Sequence, residues 1–424
     1  MLVLLLSLSA NAMSLDEAVR GAIETSPVLD VAAAQVSQAE ARVRQADAGL
    51  HPTATASAGF FLQNEVEFNI AEQMSEVLPE AMAELIDPSA VDPIVVQPGH
   101  QFAGSIEVTQ PLVVVPVWKA RKVAREGVVL AQDEAGAMEQ QVTAIAVQAW
   151  YASSQVRVLV EDATRGVELA ERLVEKGQAL VTHGVAAPDQ LLPFERALAT
   201  ARANLAMAQE ARTTADGVLE QITGLPGGAD AFEVPDSAPT LDTSLAAIDR
   251  PDLVAAASRV RAAEAAVALE RSRYWPVVAL QGGVTYLEPE PGFGDNLNWK
   301  VGVGAKVPLY QGSTRGRVSE AEARAQMARA GERASRDRAE VEVRGAHGEL
   351  ATAMASLAER EEAARFAAEA VTAAEKRLSG GSGSLLTLQQ AQAEQLAADA
   401  QLTRARAQAA RAYTGLELAM RGAP

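Results

Sequence analysis

The stretch RPDLVAAASRV, Arg250–Val260, restates SPVLDVAAAQV at Ser26–Val36, 224 residues earlier. At that offset, Ser26 to Pro52 gives ten identities in 27 positions without a gap, among them Pro27/Pro251, Leu29/Leu253, Ala39-Glu40-Ala41/Ala263-Glu264-Ala265 and Pro52/Pro276. A second offset, 197, aligns Thr109–Leu112 (TQPL) with Lys306–Leu309 (KVPL) and Trp150 with His347. The difference of 27 residues places an insertion in the first copy between Pro52 and Pro111. Such internal repetition constrains the fold before any local signal does, because each copy must form the same kind of unit. The chain therefore divides into a first repeat over residues 13–224, a connector over 225–249 and a second repeat over 250–424.

Composition narrows the class of fold. Aromatic residues make up only 4% of the chain and alanine is abundant, which favours long, closely packed helices over a bulky core. The net charge of −18 lacks the basic footprint of a nucleic-acid binder. With zero cysteines there is no disulfide, thiolate metal site, cysteine nucleophile or lipidated cysteine. The first twelve residues, MLVLLLSLSANA, end in the A-x-A pattern Ala10-Asn11-Ala12, which predicts a secretory signal over residues 1–12, cleaved before Met13. That run is too short for a spanning helix. If the exported chain spans a membrane, it must do so with strands.

Strands follow the shared proline of each copy. In Thr53–Gln63, Ala54, Ala56, Ala58, Phe60 and Leu62 alternate with a mostly polar set. In Gln101–Gln110, Phe102, Ile106 and Val108 oppose Gln101, Ser105, Glu107 and Thr109. In Asn298–Leu309, Trp299, Val301, Val303, Ala305 and Val307 oppose Lys300, Gly302, Gly304 and Lys306, whereas Val277–Leu287 alternates least cleanly. Segments of about ten alternating residues suit membrane strands, one face to lipid and one to a watery lumen. Phe60, Leu62, Phe102, Ile106, Val108, Trp299, Val301 and Val303 are the expected lipid-facing side chains. Half-buried hairpins on a soluble domain would carry the same alternation.

Helical periodicity dominates the rest. Trp118 to about Val181 contains no proline and spaces its apolar residues at i, i+3 and i+4, a rod of about 95 Å at 1.5 Å per residue. The second copy repeats it from about Gly316 to Leu378. Turns at His183–Gln190 and Ser379–Thr387 precede returning helices over Pro188–Ile222 and Leu385–Met420, and shorter helices, Leu29–Gly49 and Leu253–Arg273, precede the strands. Hairpins this long must bridge a distance or bundle with other chains. Four strands alone would expose unpaired edges in hydrocarbon, so several chains must share one barrel.

The order of helix, proline plus hairpin, PL at the strand end and long helical hairpin, done twice, resembles the outer-membrane efflux proteins related to TolC. The most specific pieces are Val307–Gln326 (VPLYQGSTRGRVSEAEARAQ), Arg250–Val267 (RPDLVAAASRVRAAEAAV) and the paired tips. The resemblance implies a mainly α fold with membrane β: a homotrimer whose chains each give four strands to a 12-stranded β-barrel in outer-membrane lipid, with helical hairpins forming a periplasmic α-barrel. It implies an exit duct for a tripartite efflux pump or type I secretion system, fed through a periplasmic adaptor by an inner-membrane transporter of RND or ABC type. The tip residues His183, Gly184, Val185, Ala186, Gly380, Gly381 and Ser382 are the implied adaptor contacts.

The same resemblance implies a gate at the tips, and here the chain departs from its relatives. Where they carry two aspartates ringing the aperture, alignment on the glycines gives Thr387 and Gln390; where they carry a locking arginine and tyrosine, it gives Gly383 and Leu378. Asp189 alone matches an acidic lock partner. A ring lacking carboxylates binds cations weakly, so a differently built gate is expected.

Residues Asn64 to Gly99 carry eight acidic residues and no Lys or Arg, and read as an acidic extracellular loop housing the insertion. Val301–Lys306 (VGVGAK) lacks the strand-to-helix context of a phosphate loop and reads as strand. The four histidines, His51, His100, His183 and His347, are scattered without HExxH or triad spacing, so no enzyme, cofactor or metal site is expected. The competing reading from another class is a periplasmic coiled-coil scaffold without a pore.

Overall fold

The structure is a computed structural model that describes residues 12–77, 79, 92–183, 187–232, 250–288, 295–380 and 382–421. The expected signal segment, except Ala12, lies outside the described residues, as do 80–91 of the acidic loop and 233–249 of the connector. The chain forms two compact units, one from Met1–Ser37, Val129–Val260 and Met327–Pro424, the other from Gln38–Val128 and Arg261–Gln326. Each unit thus draws on both sequence repeats.

The first unit is helical. Helix α1 (Leu15–Thr25), absent from the sequence-based expectation, starts at a capping box in which the Ser14 hydroxyl accepts from the Glu17 N–H and the Glu17 carboxylate accepts from the Ser14 N–H. It stops because Ser26 precedes Pro27 and is extended, φ −72° and ψ 115°, as a residue before proline prefers. Helix α2 (Pro27–Ala48) then begins with that proline in its first turn. The long helix α4 (Val115–Thr182) and its return α5 (Leu192–Thr223) match α7 (Gly312–Ser379) and α8 (Leu385–Arg421) of the second copy, and α6 (Pro251–Ser272) matches α2. All run within a few residues of the lengths their periodicity predicts.

Small residues set how closely these helices approach. A Cβ on Gly21 would lie 2.8 Å from the Thr223 carbonyl oxygen, so α1 packs against the end of α5 only with glycine there. Gly224 ends α5 in the left-handed conformation, φ 69°, with its N–H on the Glu220 carbonyl. The core centres on Trp150 and Tyr151 of α4 with Leu219 of α5 and Ala410 of α8. The Tyr151 hydroxyl hydrogen-bonds Thr414 at 2.7 Å. Leu350, Ala353 and Leu357 of α7 meet Ala405, Ala409, Ala412 and Leu416 of α8 in a second cluster.

One buried cation ties the second repeat to its neighbours. The Arg250 guanidinium, 6% exposed, donates to both carboxylate oxygens of Asp252, to Glu342 of α7 at 2.8 Å and to the Ala419 carbonyl of α8 at 2.9 Å.

The second unit holds a four-stranded antiparallel sheet in the order β1 (Thr53–Leu62), β4 (His100–Val114), β5 (Val277–Glu288), β6 (Leu297–Lys306). The sheet is thus one hairpin from each repeat laid side by side. Pairing slips between Pro111 and Val113, because Pro111 has no N–H to give the ladder. The acidic insertion is not all loop: β2 (Val66–Phe68) pairs with β3 (Ile94–Gln97), and α3 spans Ile70–Val77. Ion pairs Arg121–Asp47, Arg271–Glu322 and Arg317–Glu270 link the flanking helices of this unit.

Replacing Arg250 with Ala leaves the Ala419 carbonyl without its donor and both carboxylates without their cation. It should destabilise the fold by about 1–3 kcal/mol, read as a lower thermal midpoint, whereas Arg365→Ala at an exposed position should change it little.

Candidate functional site

The sheet register decides which side chains share a face. Directly opposed residues of an antiparallel ladder point the same way. Across the four strands the rows run Ala54–Val108–Gly282–Val301 and Ala56–Ile106–Val284–Trp299, followed outward by Phe60–Phe102 and Leu62–His100. Leu280 stands beside Val303. The eight expected apolar side chains, Phe60, Leu62, Phe102, Ile106, Val108, Trp299, Val301 and Val303, therefore occupy one face. All are exposed, Trp299 by 77% and Leu62 by 79%.

The opposite face is polar. Its rows are Thr55–Glu107–Gly283–Lys300 and Ser57–Ser105–Thr285–Asn298. The Ser57 and Ser105 hydroxyls hydrogen-bond at 2.8 Å. Lys300 reaches over β5 to Glu107 at 3.4 Å. Gly283 lies between them, and a Cβ there would lie 3.5 Å from Lys300 Cε and 3.6 Å from Glu107 Cγ. The alternation of β5 is blurred because Gly282 stands in the apolar row Val108–Val301 and because Ala279 and Leu287 stand on the polar face. Phe61 is apolar on this face, as is Leu287 opposite Ala103; the Phe61 ring is laid over Gly59, where a Cβ would come within 2.8 Å of it.

Sequence patterning did not single out the aromatic residues at the sheet's helix-bearing end. Trp118 opens α4 just after β4, Tyr274 and Trp275 precede β5, and Tyr310 follows β6; all four are exposed. Three of the four tryptophans belong to this unit, a concentration that counting aromatics by segment would have revealed. Aromatic girdles at both ends of an apolar band mark the two interfaces of a membrane barrel.

The other candidate region is the pair of helical tips. At the first, the His183 N–H closes α4 on the Ala179 carbonyl, and its side chain is exposed. Gly184, Val185 and Ala186 lie outside the described residues. A 3₁₀ turn, Pro188–Leu191, carries the exposed Asp189, and Gly177 of α4 lets Leu191 pack against it, since a Cβ there would meet Leu191 Cδ1 at 2.9 Å. At the second tip the Ser382 and Gly383 N–H groups both donate to the Arg377 carbonyl at 2.9 Å, while Gly380 donates to Lys376. Gly381 lies outside the described residues.

The tip residues singled out by alignment do four different things. Gly383 holds a tight turn: a Cβ would lie 2.8 Å from the Leu378 nitrogen and 2.9 Å from the Arg377 carbonyl carbon. This turn cannot carry an arginine at that position without shifting. Thr387 lies in the first turn of α8, its N–H and hydroxyl both on the capping Ser384 hydroxyl, at 3.1 and 2.8 Å. Leu378 packs on Val371, Ala374, Leu388 and Ala391. Only Asp189 and Gln390 come together, lining one groove of about 980 Å³ with Leu173, Leu192, Arg196 and Leu386.

Asp162, on α4, borders the same groove. It is 8% exposed and ion-paired to Arg165. Burial pushes its carboxyl above the ordinary aspartate range, against the pull of Arg165 and Arg404.

An apolar, outward-presented sheet face on one unit and long helical hairpins on the other are the parts of a membrane duct. The model of the outer membrane efflux protein family matches residues 18–225 and 243–421. The chain belongs to the outer membrane efflux protein family. Its fold is similar to that of CusC, with a TM-score of 0.77 at 15% identity over 98% of this chain and 95% of that one. It is also similar to VceC from Vibrio cholerae (0.73, 19%, 96% of each chain) and to the open state of the MtrE channel from Neisseria gonorrhoeae (0.74, 18%, 96% and 89%). No curated protein matches the chain significantly in sequence. As a member of this efflux protein family it is an outer-membrane protein with its helical part in the periplasm. The family consists of channel proteins, not enzymes. Among the described residues no helix is long and apolar enough to cross a membrane.

Two outcomes follow from the tip geometry. Gly383→Arg should unseat the turn between α7 and α8, read as faster hydrogen exchange at the Ser382 amide, while Gln390→Ala leaves it unchanged. The raised Asp162 pKa means the folded state holds that proton more tightly than the unfolded chain. Its contribution to stability therefore grows as pH falls from 7 through the raised folded value and levels off near the ordinary value of about 3.9. Relative to Asp162→Asn, the native chain should gain thermal midpoint on acidification over that window.

Proposed function

We propose that the protein is the passive exit duct of a tripartite efflux pump or a type I secretion system, working as a homotrimer. The observation that carries this reading is the exposed apolar face shared by four strands whose outer members, β1 and β6, each have one unpaired edge among the described residues. In hydrocarbon every backbone N–H and C=O must be paired, so those edges have to close on other copies. Three chains supply twelve strands. A ten-residue strand is about 34 Å long, and a tilt of about 40° gives an apolar band about 25 Å tall, the height of an outer-membrane barrel. The polar face, with Glu107, Lys300 and the Ser57–Ser105 pair, then lines the lumen.

In this reading the residues Phe60, Leu62, Phe102, Ile106, Val108, Trp299, Val301 and Val303 face lipid. The exposed tips at His183, Gly380 and Ser382 meet a periplasmic adaptor, which joins the duct to an inner-membrane transporter of RND or ABC type. Asp189 and Gln390 face the aperture groove, with Thr387, Gly383 and Leu378 shaping the second tip. With Thr387 and Gln390 where relatives carry the two ring aspartates, the aperture ring lacks carboxylates and holds divalent cations weakly.

Detergent-extracted protein should run as a heat-sensitive trimer and conduct ions in a planar bilayer; a detergent-free, non-conducting rod would defeat the reading. Val301→Lys, at mid-height on the apolar face, should cost about 2–4 kcal/mol of insertion free energy and deplete the protein from outer-membrane fractions. Divalent cations should fail to block single channels at micromolar concentration, and strong block there would defeat the gate assignment alone.

A further inference from the structure

The helices that flank the sheet keep its strand order. The chain enters β1 from α2, leaves β4 into α4, enters β5 from α6 and leaves β6 into α7. Ion pairs join each neighbouring couple: Arg121–Asp47 between α4 and α2, Arg261–Glu126 between α6 and α4, and Arg271–Glu322 and Arg317–Glu270 between α6 and α7. The ends of four helices thus form one tier at the helix-bearing end of the sheet, and these pairs occupy four of its carboxylates.

Cations of the same tier are left over. The first eleven residues of α4, Val115–Arg125, hold four basic residues and no acidic one, in a chain where 55 acidic residues outnumber 37 basic ones. Of these, Lys122 and Arg125 are exposed and have no carboxylate partner among the described residues, and the same is true of Arg315 in the first turn of α7. The sign of the charge is reversed locally.

Placement gives that reversal a use. Trp118, Lys122 and Arg125 stand at i, i+4 and i+7 on α4, so they share one face of the helix, and Trp118 is 48% exposed. Lys122 lies about 6 Å and Arg125 about 10 Å beyond Trp118 along the axis, against a headgroup layer about 5–7 Å deep on each side of a bilayer. On α7, Arg315 follows the exposed Tyr310 by five residues. Aromatic rings at the hydrocarbon boundary, with long cationic side chains reaching past them, are suited to gripping lipid headgroups.

We propose that this tier is a binding surface for anionic phospholipid headgroups of the periplasm-facing leaflet, with Lys122, Arg125 and Arg315 as the phosphate contacts and Trp118 and Tyr310 seated at the base of the headgroup layer. The inference rests on the reading of the sheet as a membrane barrel and adds which lipid that barrel selects. A zwitterionic headgroup cancels its phosphate with its own ammonium, whereas an anionic one keeps a net negative charge that spare cations attract. A soluble anion would use the cations and leave the rings in water. The lipid uses both.

Full-length trimers in neutral vesicles doped with brominated phosphatidylglycerol or brominated phosphatidylcholine report lipid contact through quenching of tryptophan fluorescence. The native protein should prefer the anionic lipid, and the preference should shrink as salt is added. Lys122→Gln/Arg125→Gln/Arg315→Gln should weaken it by about fivefold for each cation that meets a headgroup, and Lys122→Gln alone should show its own share. Arg172→Gln, exposed far along α4, should leave it unchanged. Glutamine keeps helix propensity, and a heat-sensitive, conducting trimer reports that each variant has assembled. A native protein that conducts but is quenched equally by both lipids overturns the proposal and leaves the duct standing. An unchanged preference in the triple variant also overturns it, and a shifted anion-to-cation permeability ratio there would put these cations in the lumen. Inorganic phosphate at millimolar concentration should not reverse the quenching; reversal would make the surface an anion site and overturn the lipid assignment.

Discussion

The obligation of backbone hydrogen-bonding groups to find partners where water is absent governs this protein more than any single contact. A sheet of four strands with one apolar face can enter hydrocarbon only if its two outer edges are paired, and among the described residues the remaining strands, β2 and β3, pair with each other and not with those edges. The register meets the other half of that demand. Because opposed residues point the same way, rows such as Ala56–Ile106–Val284–Trp299 keep the apolar side continuous from edge to edge. A slip of one residue in any ladder would turn Ile106 or Val301 onto the polar face and Glu107 or Lys300 onto the apolar one.

The helical unit answers a different constraint, close approach without bulky side chains. Alanines at 353, 405, 409 and 412 let α7 and α8 meet over a long seam, with leucines filling the remainder. Large aromatic side chains are few, and the two at the centre of the core use their polar atoms: the Trp150 indole N–H on Met13 and the Tyr151 hydroxyl on Thr414. Arg250, at the head of the second repeat, joins three elements through one guanidinium, so the point where the duplication restarts is also a point of attachment.

At the tips the backbone fixes as much as the side chains do. The turn between α7 and α8 is built on backbone donors converging on the Arg377 carbonyl, which brings the chain so close at Gly383 that no side chain fits. Thr387 is absorbed by the cap of α8 and Leu378 by a hydrophobic cluster. Of five residues marked by alignment, the fold gathers Asp189 and Gln390 into one groove. It also brings in Asp162, invisible to alignment because its distinction is burial.

The sequence by itself determined the elements and their order. Period-2 and period-3.6 patterns and the repeated prolines are local signals, so the ends of α4, α7 and three of the strands fell within a few residues of expectation, and the family followed from that order. It did not announce α1, because an eleven-residue helix shares the alanine-rich texture of its surroundings, nor the short β2–β3 pairing inside the acidic insertion. Which strands pair, and that the hairpins of the two repeats meet as β4 beside β5, were decided only by tertiary structure. So was the seat of Met13 against Gly228 and Trp150. Those facts depend on hydrogen bonds and packing between residues tens to hundreds of positions apart, and no local pattern encodes a partner that distant.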